Sequence, residues 1–149
     1  MLPRLRRFAR TLSRNVHDAD DLVQLAVERA LARAAQLHAG ASVGAWVFGI
    51  LRNAWIDEQR ARGRRLRLFV PAEAAGEAAH GAPHAHADEL AVHEALARLP
   101  EEQRSAVALV LIEGLSYKEA ADVMSVPIGT LTSRLARARE TLQGLLGET

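Results

Sequence analysis

Three groups of side chains in this sequence are of types and spacings that could do chemistry. The first is the arginine run Arg60, Arg62, Arg64, Arg65 and Arg67, which follows Trp46, Asn53 and Asp57. Guanidinium groups at this density grip phosphate, and an aromatic ring beside them offers a base a face to stack on. The second is Thr130, Ser133, Arg134 and Arg137. Small hydroxyls at the start of a helix, with arginine one turn further on, suit a helix laid into a DNA major groove. There the helix N-terminus meets phosphate, and a planar guanidinium can take guanine through two hydrogen bonds. The third is His80, His84 and His86, spaced H-x3-H-x-H. Their alanine-rich surroundings favour incidental histidines, and we assign no metal. The chain has no cysteine, which excludes a disulfide framework, a thiol nucleophile and a Cys-based zinc site.

The elements that must position these groups read as helices. Leu5, Phe8, Ala9 and Leu12 share one face of a helix over about 4–12. Asp18, Asp20 and Asp21 then sit where a helix dipole favours acids, and Leu22, Leu25, Val27, Ala30 and Leu31 follow at helical spacing. A third helix starts near Val43 with Val47, Ile50, Leu51, Ala54 and Ile56 inward, and it ends in the arginine run. Phe48 and Trp55 read as core, and Trp46 is divided between core and base stacking. Asp57 is spaced to pair with Arg60.

The last third is punctuated more sharply. Leu96 and Leu99 end a helix before Pro100; Glu101 and Glu102 open the next; Val107, Val110 and Leu111 supply its apolar stripe; and Gly114 closes it. Ser116-Tyr117-Lys118-Glu119 is a capping box, and Pro127 fits the first position of a final helix. That helix turns Ile128, Leu131, Leu135, Ala138 and Leu142 inward and Thr130, Ser133, Arg134 and Arg137 outward. A short helix, a turn and an arginine-bearing second helix make a helix-turn-helix pattern.

The net charge of +1 hides an asymmetry. Residues 1–67 carry 13 arginines and 6 acids, 68–88 carry 3 acids and no base, and 89–149 carry 6 bases and 9 acids. A basic front half points to a polyanionic partner. Residues 71–88 include 8 alanines and no leucine, isoleucine, valine or aromatic side chain, so that segment has little to bury. The fold class expected is all-α: two small helical domains, 1–67 and 89–149, joined by a flexible linker over 68–88. The apolar runs are too short to span a bilayer and the N-terminus lacks a signal-peptide core, which predicts a soluble, cytoplasmic protein without membrane insertion.

Several stretches carry a resemblance. Leu99-Pro-Glu-Glu-Gln-Arg104, Glu113-Gly-Leu-Ser-Tyr-Lys-Glu-Ala-Ala121 and Val126-Pro-Ile-Gly-Thr-Leu-Thr-Ser-Arg-Leu-Ala-Arg-Ala-Arg139 resemble region 4 of bacterial sigma factors of the extracytoplasmic-function group. Ala19-Asp-Asp-Leu-Val-Gln24 and Ala45-Trp-Val-Phe-Gly-Ile-Leu-Arg-Asn-Ala-Trp-Ile-Asp-Glu-Gln-Arg60 resemble region 2. The resemblance implies a protein that binds core RNA polymerase and promoter DNA, catalyses nothing itself, needs no cofactor, and has an anti-sigma factor as a further partner. By position, Asp20, Asp21, Leu22 and Gln24 would form the polymerase contact. Trp46, Asn53, Asp57, Arg60, Arg62, Arg64 and Arg65 would serve the −10 element, and Thr130, Ser133, Arg134 and Arg137 the −35 element.

The sequence departs from that pattern at Leu25, where the family usually has glutamate. It also departs at Thr132 and Ala136, which often carry lysine and a histidine or other polar residue. In the loop His38-Ala39-Gly40-Ala41-Ser42, only His38 and Ser42 could read a base. Two other functions stand beside the sigma reading: a sigma-like mimic that sequesters an anti-sigma factor, and a stand-alone helix-turn-helix regulator.

Overall fold

A computed structural model of the chain describes residues 1–13, 15–68 and 87–146. The chain divides into two units, Met1–Ala79 and His80–Thr149. Unit 1 holds α1 (Leu2–Ser13), α2 (Val16–Ala32) and α3 (Val43–Leu68); unit 2 holds α4 (Ala87–Ala97), α5 (Glu101–Val107), α6 (Tyr117–Met124) and α7 (Ile128–Leu146). A short 3-10 turn, Ala34–Gln36, follows α2, and a π turn, Ala108–Ile112, extends α5. There is no strand among the described residues. One end residue of the expected linker, Leu68, and two at its other end, Ala87 and Asp88, are helical; 69–86, with the histidine set, lie outside the described residues.

In unit 1 the core forms where the three apolar stripes meet. Leu5, Phe8, Ala9 and Leu12 of α1 are all buried, as their spacing requires. Phe8 meets Phe48 of α3 edge to face, with ring centroids 5.5 Å apart and planes at 90°. This arrangement sets the positive ring edge against the negative face. The Arg4 guanidinium covers the same Phe48 ring at 5.3 Å. On α2 the buried set is Ala19, Leu22, Val23 and Ala26, whereas Leu25 and Leu31 are exposed. The inward stripe is therefore narrower than the leucines suggested. Asn15 caps α2, its Oδ1 accepting from the Asp18 amide at 3.1 Å, so the helix starts before the acidic cluster. Ser42 does the same for α3, its hydroxyl accepting from the Ala45 amide at 3.2 Å.

Unit 2 packs α5 and α6 against α7 around Val107, Leu109, Val123, Met124, Leu131 and Leu135. The buried Arg104 donates to the Leu99 carbonyl at 2.8 Å and so closes the turn after α4. The capping box at the start of α6 forms in both directions: Ser116 Oγ accepts from the Glu119 amide and Glu119 Oε1 from the Ser116 amide, each at 3.0 Å. Ser116→Ala is expected to cost unit 2 about 1 kcal/mol in denaturant unfolding.

Three local expectations change. Leu111, expected inward, is 52 % exposed. The Glu113 amide bonds the Ala108 carbonyl five residues back, at 2.8 Å, and this wider turn carries Leu111 and Ile112 off the core stripe. Ile128 lies on the inward stripe of α7 but is exposed, because the core begins one turn later at Leu131. Pro127 stands just ahead of α7 and not in its first turn, its carbonyl accepting from the Thr130 and Leu131 amides.

The turn between α6 and α7 sets the angle of the helix pair. Ser125 ends α6 in the left-handed conformation, φ +57 and ψ +44. Its amide bonds the Asp122 carbonyl, and the Val126 amide bonds that of Ala121. This is a Schellman ending with serine where glycine is usual. Ser125→Gly is expected to raise the stability of unit 2 by up to about 1 kcal/mol, since the left-handed conformation penalises a Cβ. The melting temperature of the full chain followed at unit 2 helix signals checks it.

Candidate nucleic-acid interface

At about 100° per residue, Trp46, Asn53, Asp57, Arg60 and Arg64 fall on one stripe of α3. Asn53, Asp57, Arg60 and Arg64 are exposed and Trp46 is half-buried, whereas Phe48 and Trp55 are buried on the other side. The stripe thus carries one aromatic ring, an amide, a carboxylate and two cations in a line. Arg60 and Arg64 have no ion-pair partner among the described residues. Asp57 does not pair with Arg60; its Oδ2 lies 3.3 Å from NH1 of Arg29 on α2. That pair joins residues 28 apart on separate helices, so no local spacing signals it.

Arg62 is placed differently. It lies about 160° round α3 from Trp46. Its NH2 bonds Asp18 of α2 at 2.9 Å, and its Nε bonds Glu58 one turn back at 3.1 Å. The hydrogen bond to Asp18 chiefly, with Glu58 adding, holds the guanidinium pKa above its ordinary value, against the lowering by partial burial. A cation with a raised folded pKa contributes below its unfolded pKa and loses that contribution only as pH rises through the folded value. The Arg62 side of the pair therefore titrates only in strong alkali. Arg65 lies 3.5 Å from the same Glu58 carboxylate. All of these side chains are about half exposed, and such pairs add little stability.

The remaining expected contacts lie on α2. Asp20, Asp21 and Gln24 are exposed, while Leu22 is buried and supports them from beneath. Asp21 and Leu22 line a cleft between α2 and α3 with Leu25, Trp55, Glu58 and Arg62. Leu25, where the resembled family usually has an acid, gives this cleft an apolar lining. Ser42 and His38 are both exposed in the loop before α3, and the Ser42 oxygen is engaged as a helix cap.

In unit 2, Gly129, Ser133, Ala136 and Arg137 are exposed along the outer face of α7, opposite the buried Leu131, Leu135 and Ala138. Thr130 is half-buried at the helix start. Arg134 sits on the flank: its side chain is only 20 % exposed, and NH2 lies 3.4 Å from Glu102 of α5. Thr132 donates its hydroxyl to the Ile128 carbonyl at 2.9 Å and so is engaged with its own helix. No group of metal-binding side chains and no helix long and apolar enough to cross a membrane occurs among the described residues.

Comparison with known proteins bears on both units. Residues 89–142 match the family model "Sigma-70, region 4", and residues 1–52 match "Sigma2 domain of PhyR". The chain is 39 % identical to the ECF RNA polymerase sigma factor EcfG of Rhodopseudomonas palustris, over 97 % of its own length and 80 % of the relative's. It is 38 % identical to the ECF sigma factor SigM of Mycobacterium tuberculosis, over 96 % of its own length and 71 % of the relative's. Among solved structures, the sigma factor RpoE of Bartonella quintana, in complex with the anti-sigma factor NepR, superposes with a TM-score of 0.87 at 37 % identity. That match covers 99 % of this chain and 92 % of the other. The anti-anti-sigma factor PhyR of the same organism shares the fold, with a TM-score of 0.61 at 18 % identity, covering 97 % of this chain and 47 % of that one.

Proposed function

Because this chain belongs to the extracytoplasmic-function (ECF) RNA polymerase sigma factors, we propose that its two units divide promoter recognition between them. Unit 1 serves the −10 element along the α3 stripe of Trp46, Asn53, Asp57, Arg60 and Arg64. Unit 2 serves the −35 element with α7, where Ser133 and Arg137 face the groove and Thr130 and Arg134 lie at its edges. The exposed Asp20, Asp21 and Gln24, braced by Leu22, form the contact with core RNA polymerase. The chain works in the cytoplasm, where its polymerase is, and is not itself an enzyme. The observation that carries the −10 assignment is the alignment of a half-buried tryptophan and two arginines without an ion-pair partner among the described residues on one stripe of a helix, a stacking platform in line with phosphate grips.

In vitro transcription tests this function. Purified protein, core RNA polymerase and DNA from upstream of its own gene should give a discrete start that core alone does not give. The residue assignment has its own test in single-stranded DNA binding by the holoenzyme. Arg60→Ala should flatten the salt dependence by about 0.7 in log–log slope, the loss of one phosphate contact. Arg62→Ala should leave that slope unchanged, because its guanidinium is held on the far side of α3.

A second reading has a specific observation behind it, the match of residues 1–52 to a domain of PhyR. On that reading the chain is a sigma mimic that occupies an anti-sigma factor. Identity of 39 % with the ECF RNA polymerase sigma factor EcfG against 18 % with PhyR favours the first reading. An anti-sigma partner fits both, as NepR and CnrY are bound to the solved relatives RpoE and CnrH. Co-elution with core polymerase separates the two readings.

A further inference from the structure

We propose that Glu102 is a positioning residue for promoter recognition: in the free protein its carboxylate holds Arg134 against α5, and DNA takes Arg134 over by exchanging that carboxylate for a backbone phosphate. This rests on the reading of α7 as a DNA-binding helix.

Arg134 is poorly satisfied where it lies. Its one ionic contact among the described residues, NH2 to Glu102 Oε1, is 3.4 Å long, and its NH1 is buried with no hydrogen-bond partner. A guanidinium carries five N–H donors, and leaving one buried and unpaired opposes the arrangement. Glu102 does not depend on the pair either. It is 62 % exposed and stands in the first turn of α5, where the helix dipole already favours an acid. An ion pair with one partner this wet is broken at little cost. A phosphate, by contrast, accepts two charge-assisted hydrogen bonds from one guanidinium.

Geometry supplies the route. Arg134 lies about 60° round α7 from the outward-facing Arg137. Rotation of its long side chain off α5 brings the guanidinium beside Arg137 at the margin of the recognition face. A phosphate bordering the groove then receives it, and the orphaned NH1 gains an acceptor. A side chain that is four-fifths buried in the free protein thus becomes a DNA contact without any movement of the helices.

The test uses the full chain without polymerase and a fluorescein-labelled random-sequence duplex, titrated over a salt series. The proteins are wild type, Glu102→Gln, Arg134→Ala and the double variant, each checked for helicity. Glu102→Gln is expected to bind about threefold tighter, the worth of one exposed ion pair. Arg134→Ala is expected to reduce the log–log salt slope by about 0.9, one duplex phosphate, and to abolish the gain from Glu102→Gln. A gain that persists without Arg134 would mean that Glu102 only repels DNA, and the proposal falls. It falls equally if Glu102→Gln weakens binding, which makes the acid a buttress, or if the slope ignores Arg134. If wild type fails to bind duplex even at low salt, the helix-turn-helix reading itself fails and takes this inference with it.

Discussion

Phe48→Ala should destabilise unit 1 by about 3–5 kcal/mol. Phe48 is fully buried and is the point at which α1 and α3 interlock, in edge-to-face contact with Phe8 and with the Arg4 guanidinium over its ring. Truncation removes the ring, leaves a cavity that two packed helices cannot readily close, and removes the cation–ring contact with Arg4. At about 0.05–0.15 kcal/mol per residue, a unit of this size holds roughly 3–10 kcal/mol in all, so most of its stability would be lost. Both tryptophans of the chain, Trp46 and Trp55, lie in unit 1. Their fluorescence in a denaturant titration therefore reports this unit without interference from the other. A loss below about 1 kcal/mol would mean that the α1–α3 contact does not hold the unit together. The functional consequence is a failure to use promoters while α7 remains intact, since the α3 stripe has no platform once α1 lets go.

Arg137→Ala should cost about 1–3 kcal/mol in binding to a duplex bearing the cognate −35 element, or roughly 5- to 150-fold in affinity. Arg137 is exposed at the centre of the outer face of α7, flanked by Ser133 and Ala136, and no carboxylate among the described residues forms an ion pair with it. Its guanidinium is therefore unclaimed by the described residues. Transcription from promoters mapped with the wild-type protein should fall in parallel. If Arg137 reads a base, the variant should also lose discrimination at one position of the element. If it grips phosphate, affinity should fall uniformly across sequences and the salt slope should drop by about 1.

Much of this was legible in the sequence because the signals are local. The α1 face, the start of α3 at Val43 and the capping box at Ser116 each depend on residues within one turn of one another, and each is found where the spacing puts it. The stripe on α3 follows the same rule, since helical periodicity alone aligns Trp46 with Asn53, Asp57, Arg60 and Arg64. What the sequence could not tell is which arginines are already spoken for. Arg62 meets Asp18 across 44 positions, Asp57 meets Arg29 across 28, and Arg134 meets Glu102 on another helix. In a run where five of the eight residues from Arg60 to Arg67 are arginine, composition makes all of them look equally ready for DNA, and tertiary pairing sorts them. The exposure of Leu111 was hidden for another reason: an apolar residue at helical spacing reads as core unless the helix itself changes pitch, and nothing in Ala108–Ile112 announces that change.

That change of pitch has a consequence for how the chain tolerates gaps and insertions. A π turn closes five residues where an α turn closes four, so Ala108–Ile112 holds one residue more than a regular helix needs. Loss of a single residue at Val110 or Leu111 would let the segment relax into ordinary α-helix. The buried Val107 on one side and Leu115 on the other would keep their places. Within a helix such a deletion normally rotates everything beyond it by about 100° and destroys the core register. Here it would erase only the outward set of Leu111 and Ile112. The segment is therefore a point where aligned relatives can differ in length by one residue without differing in fold, and where an alignment that forbids gaps inside helices will misplace every position that follows.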